Sequence, residues 1–196
     1  IYTHRASADL CRIMLEDSGY LNEKEVEWVN RKRERKGLEL VEPLYTREEA
    51  RAAHQQFHPV EYEHREAILP GVELTLHDAG HILGSAIAEL KLTEGDHTRR
   101  VVFSGDLGHR GEPILRDPAV VERADLVVME STYGDRLHRP WKDTWEEMGE
   151  IITSARGNIL IPAFAVGRSQ MLLHILKRHF DDWNLGGHQI FLDSPM

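Results

Sequence analysis

Apolar and polar positions follow three successive rhythms along the chain. Ala6, Leu10, Ile13, Met14 and Asp17 recur at a spacing of three to four, predicting an amphipathic helix that ends near Gly19. Charged residues then run to Lys36, where Gly37 reads as a stop. Thr46-Arg47-Glu48-Glu49 has the pattern of a capping box and opens a short helix to about Gln56. From residue 60 alternation takes over, and 72–76, 85–92 and 100–104 read as half-buried strands. Residues 125–130 are almost continuously apolar, the pattern of a strand buried on both faces. After residue 134 helix and strand alternate. Thr144-Trp145-Glu146-Glu147 predicts another capping box, with Trp145, Met148, Ile151, Ile152 and Ala155 on one face and Gly157 as the end. A strand at 158–161, a helix at about 168–179 and a strand at 189–192 make a parallel βαβ unit. The expected class is α/β (α+β mixed), with a β-rich part over 1–133 and the beginning of an α/β part over 134–196.

Composition narrows the setting. The chain has 196 residues, 41% hydrophobic and 29% charged, enough for one sizeable core or one core and part of a second. No apolar run reaches membrane-spanning length, and the first residues do not resemble a signal peptide. The single cysteine, Cys11, cannot form an internal disulfide, so a reducing, cytoplasmic location is expected. Twenty-four basic against 33 acidic residues give a net charge of −9. That argues against a protein that coats nucleic acid by general attraction, but not against a nuclease whose metals supply positive charge locally. The basic run from Arg31 to Lys36 reads as a solvated helix face, with contact to a phosphate backbone as the alternative, and Trp141 and Trp145 read as packing residues.

Three residues carry candidate chemistry, and each follows a strand at its carboxyl end. His81 lies in His77-Asp78-Ala79-Gly80-His81-Ile82-Leu83-Gly84-Ser85. His77 and His81 are four apart, as in a helical metal pair, but Gly80 and the flanking alternation argue for strand, loop, strand, so His77 need not share a ligand role. Asp106 follows Ser104-Gly105, where a simple turn is the plain reading and a carboxylate bridging two cations the functional one. Glu130 ends the apolar strand, and a carboxylate there needs a cation, a metal or a histidine beside it. Gly167-Arg168-Ser169 opens a helix, where free N–H groups and Arg168 would suit an RNA phosphate; a tight turn with Arg168 in a surface ion pair is the alternative.

Taken together these segments resemble the β-CASP branch of the metallo-β-lactamase superfamily, which includes bacterial RNase J and the nuclease subunit of the pre-mRNA 3′-end cleavage complex. Residues 79–85 resemble its third motif, Ser104-Gly105-Asp106 its fourth, and Glu130-Ser131-Thr132-Tyr133-Gly134 its motif A. Residues 161–170 and 192–196 resemble the opening of the inserted β-CASP domain. The resemblance implies a partial metallo-β-lactamase αββα sandwich over 1–133 and the beginning of a β-CASP domain over 134–196. It makes His81 and Asp106 metal ligands, Asp106 and Glu130 the candidate catalytic carboxylates, and two zinc ions the cofactors. Glu130 would orient a later catalytic histidine. The Glu-Ser-Thr-Tyr form of motif A resembles the RNA-processing members, whereas DNA-repair members carry aspartate there.

The family's His-x-His-x-Asp-His motif is absent from these 196 residues. It is expected upstream of Ile1, and the later histidine motifs beyond Met196, so the chain reads as a fragment. Two ligands cannot close a zinc site. The expected function is therefore metal-dependent hydrolysis of single-stranded RNA by the complete protein, with exonuclease and endonuclease action both open and a homodimer as one possible assembly. The fragment alone is expected to bind zinc weakly or not at all and to be inactive. A catalytically inactive RNA-binding scaffold is the competing class. A hydrolase of small substrates is a further one, which the α/β region after Gly134 disfavours.

Overall fold

The computed structural model describes residues 1–193; Ser194, Pro195 and Met196, the end of the tail segment in the resemblance, lie outside them. A parallel pair, β1 (Tyr2–His4) and β2 (His58–Val60), sits beside a five-stranded sheet. That sheet runs in sequence order: β3 (Arg65–Leu69), β4 (Val72–Asp78), β5 (Ala86–Glu94), β6 (His97–Phe103) and β7 (Leu126–Val128). The first three junctions are antiparallel and the last, β6 with β7, is parallel. Four helices complete the chain: α1 (Arg5–Glu34), α2 (Arg47–Ala53), α3 (Trp141–Ser154) and α4 (Arg168–Arg178). This is the mixed α and β class the patterning predicts. No helix of the described residues is long and apolar enough to cross a membrane.

Alternation fills the core. Leu74 and Leu76 of β4 point the same way and pack with Val60, while Ala79, Ile87 and Val102 form a second cluster below the site described next. A third cluster, Ile152, Ile175, Leu176, Trp183 and Leu185, joins α3 to α4. Gly149 brings α3 against Trp183 so closely that a Cβ there would strike the indole.

Several local expectations need correction. The first helix does not stop at Gly19 but continues to Glu34. Gly19 is buried in mid-helix because the backbone of Arg47 crosses it; a Cβ would lie 2.8 Å from the Arg47 Cα. Strand β7 is exposed, with Leu126 and Val127 at 55% and 53%, since it is the edge of the sheet and neither face is covered. Helix α3 begins a turn early, after Pro140. The Thr144 hydroxyl donates to the Pro140 carbonyl at 3.1 Å and Glu147 pairs with Arg139, so no capping box forms. Segments 158–161 and 189–192 flank α4 but carry no ladder hydrogen bonds. Leu160 and Phe191 are 92% and 82% exposed, and among the described residues no strand lies beside them to pair with.

Candidate functional site

The direction of the strands assembles the site. Because β5 is antiparallel to both β4 and β6, and β7 is parallel to β6, strands β4, β6 and β7 all end at the same rim. His81 follows β4, Asp106 follows β6 and Glu130 follows β7. A parallel ladder between β6 and β7 thus does what sequence separation cannot.

The loop carrying His81 is fixed at both ends. The Asp78 carboxylate accepts from the Gly80 N–H at 2.8 Å, and the Ser85 hydroxyl accepts from the N–H groups of His81 and Ile82 at 3.0 and 3.2 Å. Tyr62 donates to the Ser85 carbonyl at 2.7 Å, and Ser7 at the start of α1 donates to the Gly84 carbonyl at 2.6 Å. His77 is not part of the site: its ring nitrogens face Glu63 and Glu89 at 2.8 and 3.1 Å.

The Asp106 loop is joined to both neighbours. The Gly108 N–H donates to the Ala79 carbonyl at 2.8 Å, and any Cβ at Gly108 would collide with the Gly80 carbonyl, so only glycine allows this approach. On the other side the Leu107 N–H donates to the Glu130 carboxylate at 2.6 Å. Buried Ser104 closes the connection, its hydroxyl accepting from the Glu130 N–H at 3.1 Å and donating to the Gly105 carbonyl at 2.7 Å. Asp106 itself is exposed.

Glu130 needs a partner, and the first one is backbone rather than a cation. The Leu107 N–H, then the Thr132 hydroxyl and amide, hold its carboxyl below the usual range against the opposing effect of burial; the nearby His81 adds a smaller contribution. Glu112 shows the reverse. Burial raises its carboxyl although Arg168, His109 and His81 all lie close enough to oppose the rise. Glu112 thus marks the place where the His81 loop and the turn before α4 meet.

That turn packs on the site: a Cβ at Gly167 would lie 3.0 Å from the Ile82 side chain. Its amides are not free. The Arg168 N–H donates to the Val166 carbonyl at 3.0 Å, and the Ser169 N–H and hydroxyl both donate to the Phe164 carbonyl at 3.2 and 2.8 Å. Gly167-Arg168-Ser169 offers no open nest of N–H groups; Arg168 is exposed, with one guanidinium nitrogen 3.7 Å from the Met171 sulfur.

Sequence reasoning passed over Ser85, Ser104, Thr132, His109 and Glu112. Only Ser85, Ser104 and Thr132, inside the motif segments, carried any signal. As metal donors, His81 and Asp106 are of the right kind, an imidazole and a carboxylate at one rim. They are two where zinc takes four, and the described residues contain no group of three histidine, cysteine or acidic side chains able to hold an ion.

Comparison with known proteins places the chain among relatives. Ribonuclease TTHA0252 of Thermus thermophilus is 36% identical over 205 aligned positions, which take in 100% of this chain and 40% of the relative. Transcription termination factor FttA of Methanosarcina mazei is 38% identical over 143 positions, 69% of this chain and 22% of the relative. Its namesake from Methanocaldococcus jannaschii is 30% identical over 201 positions, 99% of this chain and 29% of the relative. The chain therefore spans at most 40% of the length of these relatives. No family model matches it. With the third motif, the fourth motif and motif A in order along the chain, and relatives of this kind matched over its whole length, the chain belongs to the β-CASP branch of the metallo-β-lactamase superfamily.

Proposed function

We propose that this chain is part of a zinc-dependent ribonuclease, a hydrolase of phosphodiester bonds in single-stranded RNA that acts in the cytoplasm. The observation that supports it is the common rim of β4, β6 and β7, where His81, Asp106 and Glu130 follow three strands of one direction. A relative matched over the whole chain is named a ribonuclease. In this reading residues 134–196 open the β-CASP domain, and a protein of the relatives' length completes the ligand set.

His81 and Asp106 would then be the residues of this chain that hold the zinc. Zinc in such a site acts as a Lewis acid and brings the pKa of a water toward neutrality. The chain's own residues supply position and charge. The Ser85 hydroxyl fixes the His81 backbone, and Gly108 lets the Asp106 loop lie against that of His81. Glu130, kept ionised by Leu107 and Thr132, orients a histidine from outside these residues for proton donation to the leaving oxygen. Arg168 meets a phosphate of the RNA.

The test uses a protein of the relatives' length, end-labelled RNA and DNA of one sequence, and a chelator. The expected result is RNA cleavage that the chelator removes and zinc restores, with DNA cut far more slowly. Binding of RNA without cleavage under saturating zinc would replace the enzyme by a scaffold. For the 196-residue chain alone we propose weak zinc binding and no activity; stoichiometric, tightly held zinc would contradict this.

A further inference from the structure

Three residues beyond Glu130 stands a side chain that the proposed chemistry leaves unused. Tyr133 is 57% exposed and has a left-handed backbone, φ 57°, which an aromatic residue adopts only at a cost. Burial does not offset that cost, because most of the ring is in solvent. The turn nevertheless holds it: the Gly134 N–H donates to the Ser131 carbonyl at 2.9 Å and the Arg136 N–H to the Tyr133 carbonyl at 3.1 Å.

The ring is also braced from one side. His138 meets it at 5.3 Å between centroids and 76° between planes, and His138 meets His109 in the same manner at 5.0 Å. His109 abuts Trp141, which stacks on Trp145 and donates from its indole N–H to the Arg110 carbonyl at 3.1 Å. The Arg136 guanidinium lies 5.9 Å from the Tyr133 centroid. An aromatic row thus runs from α3 outward to an exposed ring, and it ends beside the rim that carries Glu130 and Asp106.

We propose that Tyr133 is a stacking platform for one nucleobase of single-stranded RNA, setting the nucleotide next to the cleaved phosphate. This rests on the ribonuclease reading above. Unpaired bases in a single strand offer their faces to aromatic side chains regardless of sequence. The Arg136 guanidinium beside the ring is already paired with Asp135 at 2.9 and 3.1 Å, so the cation left for the backbone between bases is Arg168. A strained turn that presents a phenol to solvent has a use here that packing does not supply. The platform acts on binding and register, without sequence preference.

The experiment measures steady-state cleavage of a fluorophore-labelled RNA oligonucleotide by a protein of the relatives' length carrying Tyr133→Ala, Tyr133→Leu, Tyr133→Phe or Tyr133→Gly. Loss of the ring in the Ala, Leu and Gly variants is expected to raise KM about tenfold while kcat changes about twofold or less. Phe is expected to restore the wild-type KM, because stacking needs the ring and not the hydroxyl. Gly relieves the left-handed strain, so this variant is expected to be more stable than Ala yet equally defective in KM, which separates folding from stacking. Leu that matches Phe, or Ala that matches wild type, would overturn the platform while leaving the ribonuclease reading intact. Wild-type protein that does not cleave RNA would remove that reading and the platform with it.

Discussion

Glu130 shows how a charged side chain is kept at the end of an apolar strand. Its carboxylate is answered by an amide of the neighbouring loop, the Leu107 N–H at 2.6 Å, so the charge is satisfied and the two loops are fastened together. Ser104 fastens the same loops from beneath, and Ser104→Ala is expected to lower stability by about 1 kcal/mol, read from urea unfolding. No loss would mean that this buried hydroxyl is replaceable. Tyr62 holds the His81 loop through the Ser85 carbonyl, and burial, with the Asp78 carboxylate nearby, pushes its phenol up to about 12. The unfolded chain ionises near 10, so the folded state keeps this contribution below that pH and loses it as the pH rises through about 12. Tyr62→Phe is expected to be about 1 kcal/mol less stable at pH 7. The advantage of the wild type should shrink between pH 10 and 12 in thermal unfolding, and a constant difference would contradict the cause assigned. Such partners are invisible in a sequence. That Glu130 needs a partner could be read from its place after Val127, Val128 and Met129; that the partner is a backbone amide 23 positions upstream could not.

At the scale of elements, local signals succeeded where the responsible atoms are local. The Thr46–Glu49 capping box forms as its four residues predict, with the Glu49 N–H on the Thr46 hydroxyl oxygen and the Thr46 N–H on the Glu49 carboxylate. Thr46→Ala should cost about 1 kcal/mol and fray α2, visible as faster amide exchange over residues 47–50. The same four-residue pattern at Thr144 misleads, because Pro140 can start a helix a turn earlier and Arg139 takes up Glu147. Gly19 misleads for a different reason. Glycine serves both to end a helix and to admit a close neighbour, and only the position of Arg47 tells the two apart. Helix α4 was legible from its apolar spacing, and Ile175 in its core is fully buried. Ile175→Ala is expected to destabilise by about 3 kcal/mol, and a loss under 1 kcal/mol would mean that the α3–α4 core closes over the cavity.

Over the whole molecule, strand direction is what assembles the candidate site. The third motif, the fourth motif and motif A lie far apart in sequence, and three strands running the same way bring their ends to one edge. The candidate site residues could be named from the sequence because they sit in short segments resembling a known family. Their convergence, the exposed faces of β7 and the unpaired segments around α4 depend on which elements lie side by side, which hydropathy patterning does not encode. With a net charge of −9, the proposed attraction for RNA would have to arise locally, at the proposed metal-binding rim and at Arg168. The most direct test is the cleavage rate of end-labelled RNA by Asp106→Ala in a protein of the relatives' length, at saturating zinc, against wild type. A fall of about a hundredfold or more with the fold intact is the predicted result, because the variant removes a carboxylate proposed to hold the metal. Cleavage at the wild-type rate would contradict the assignment of this rim as a metal-dependent nuclease centre.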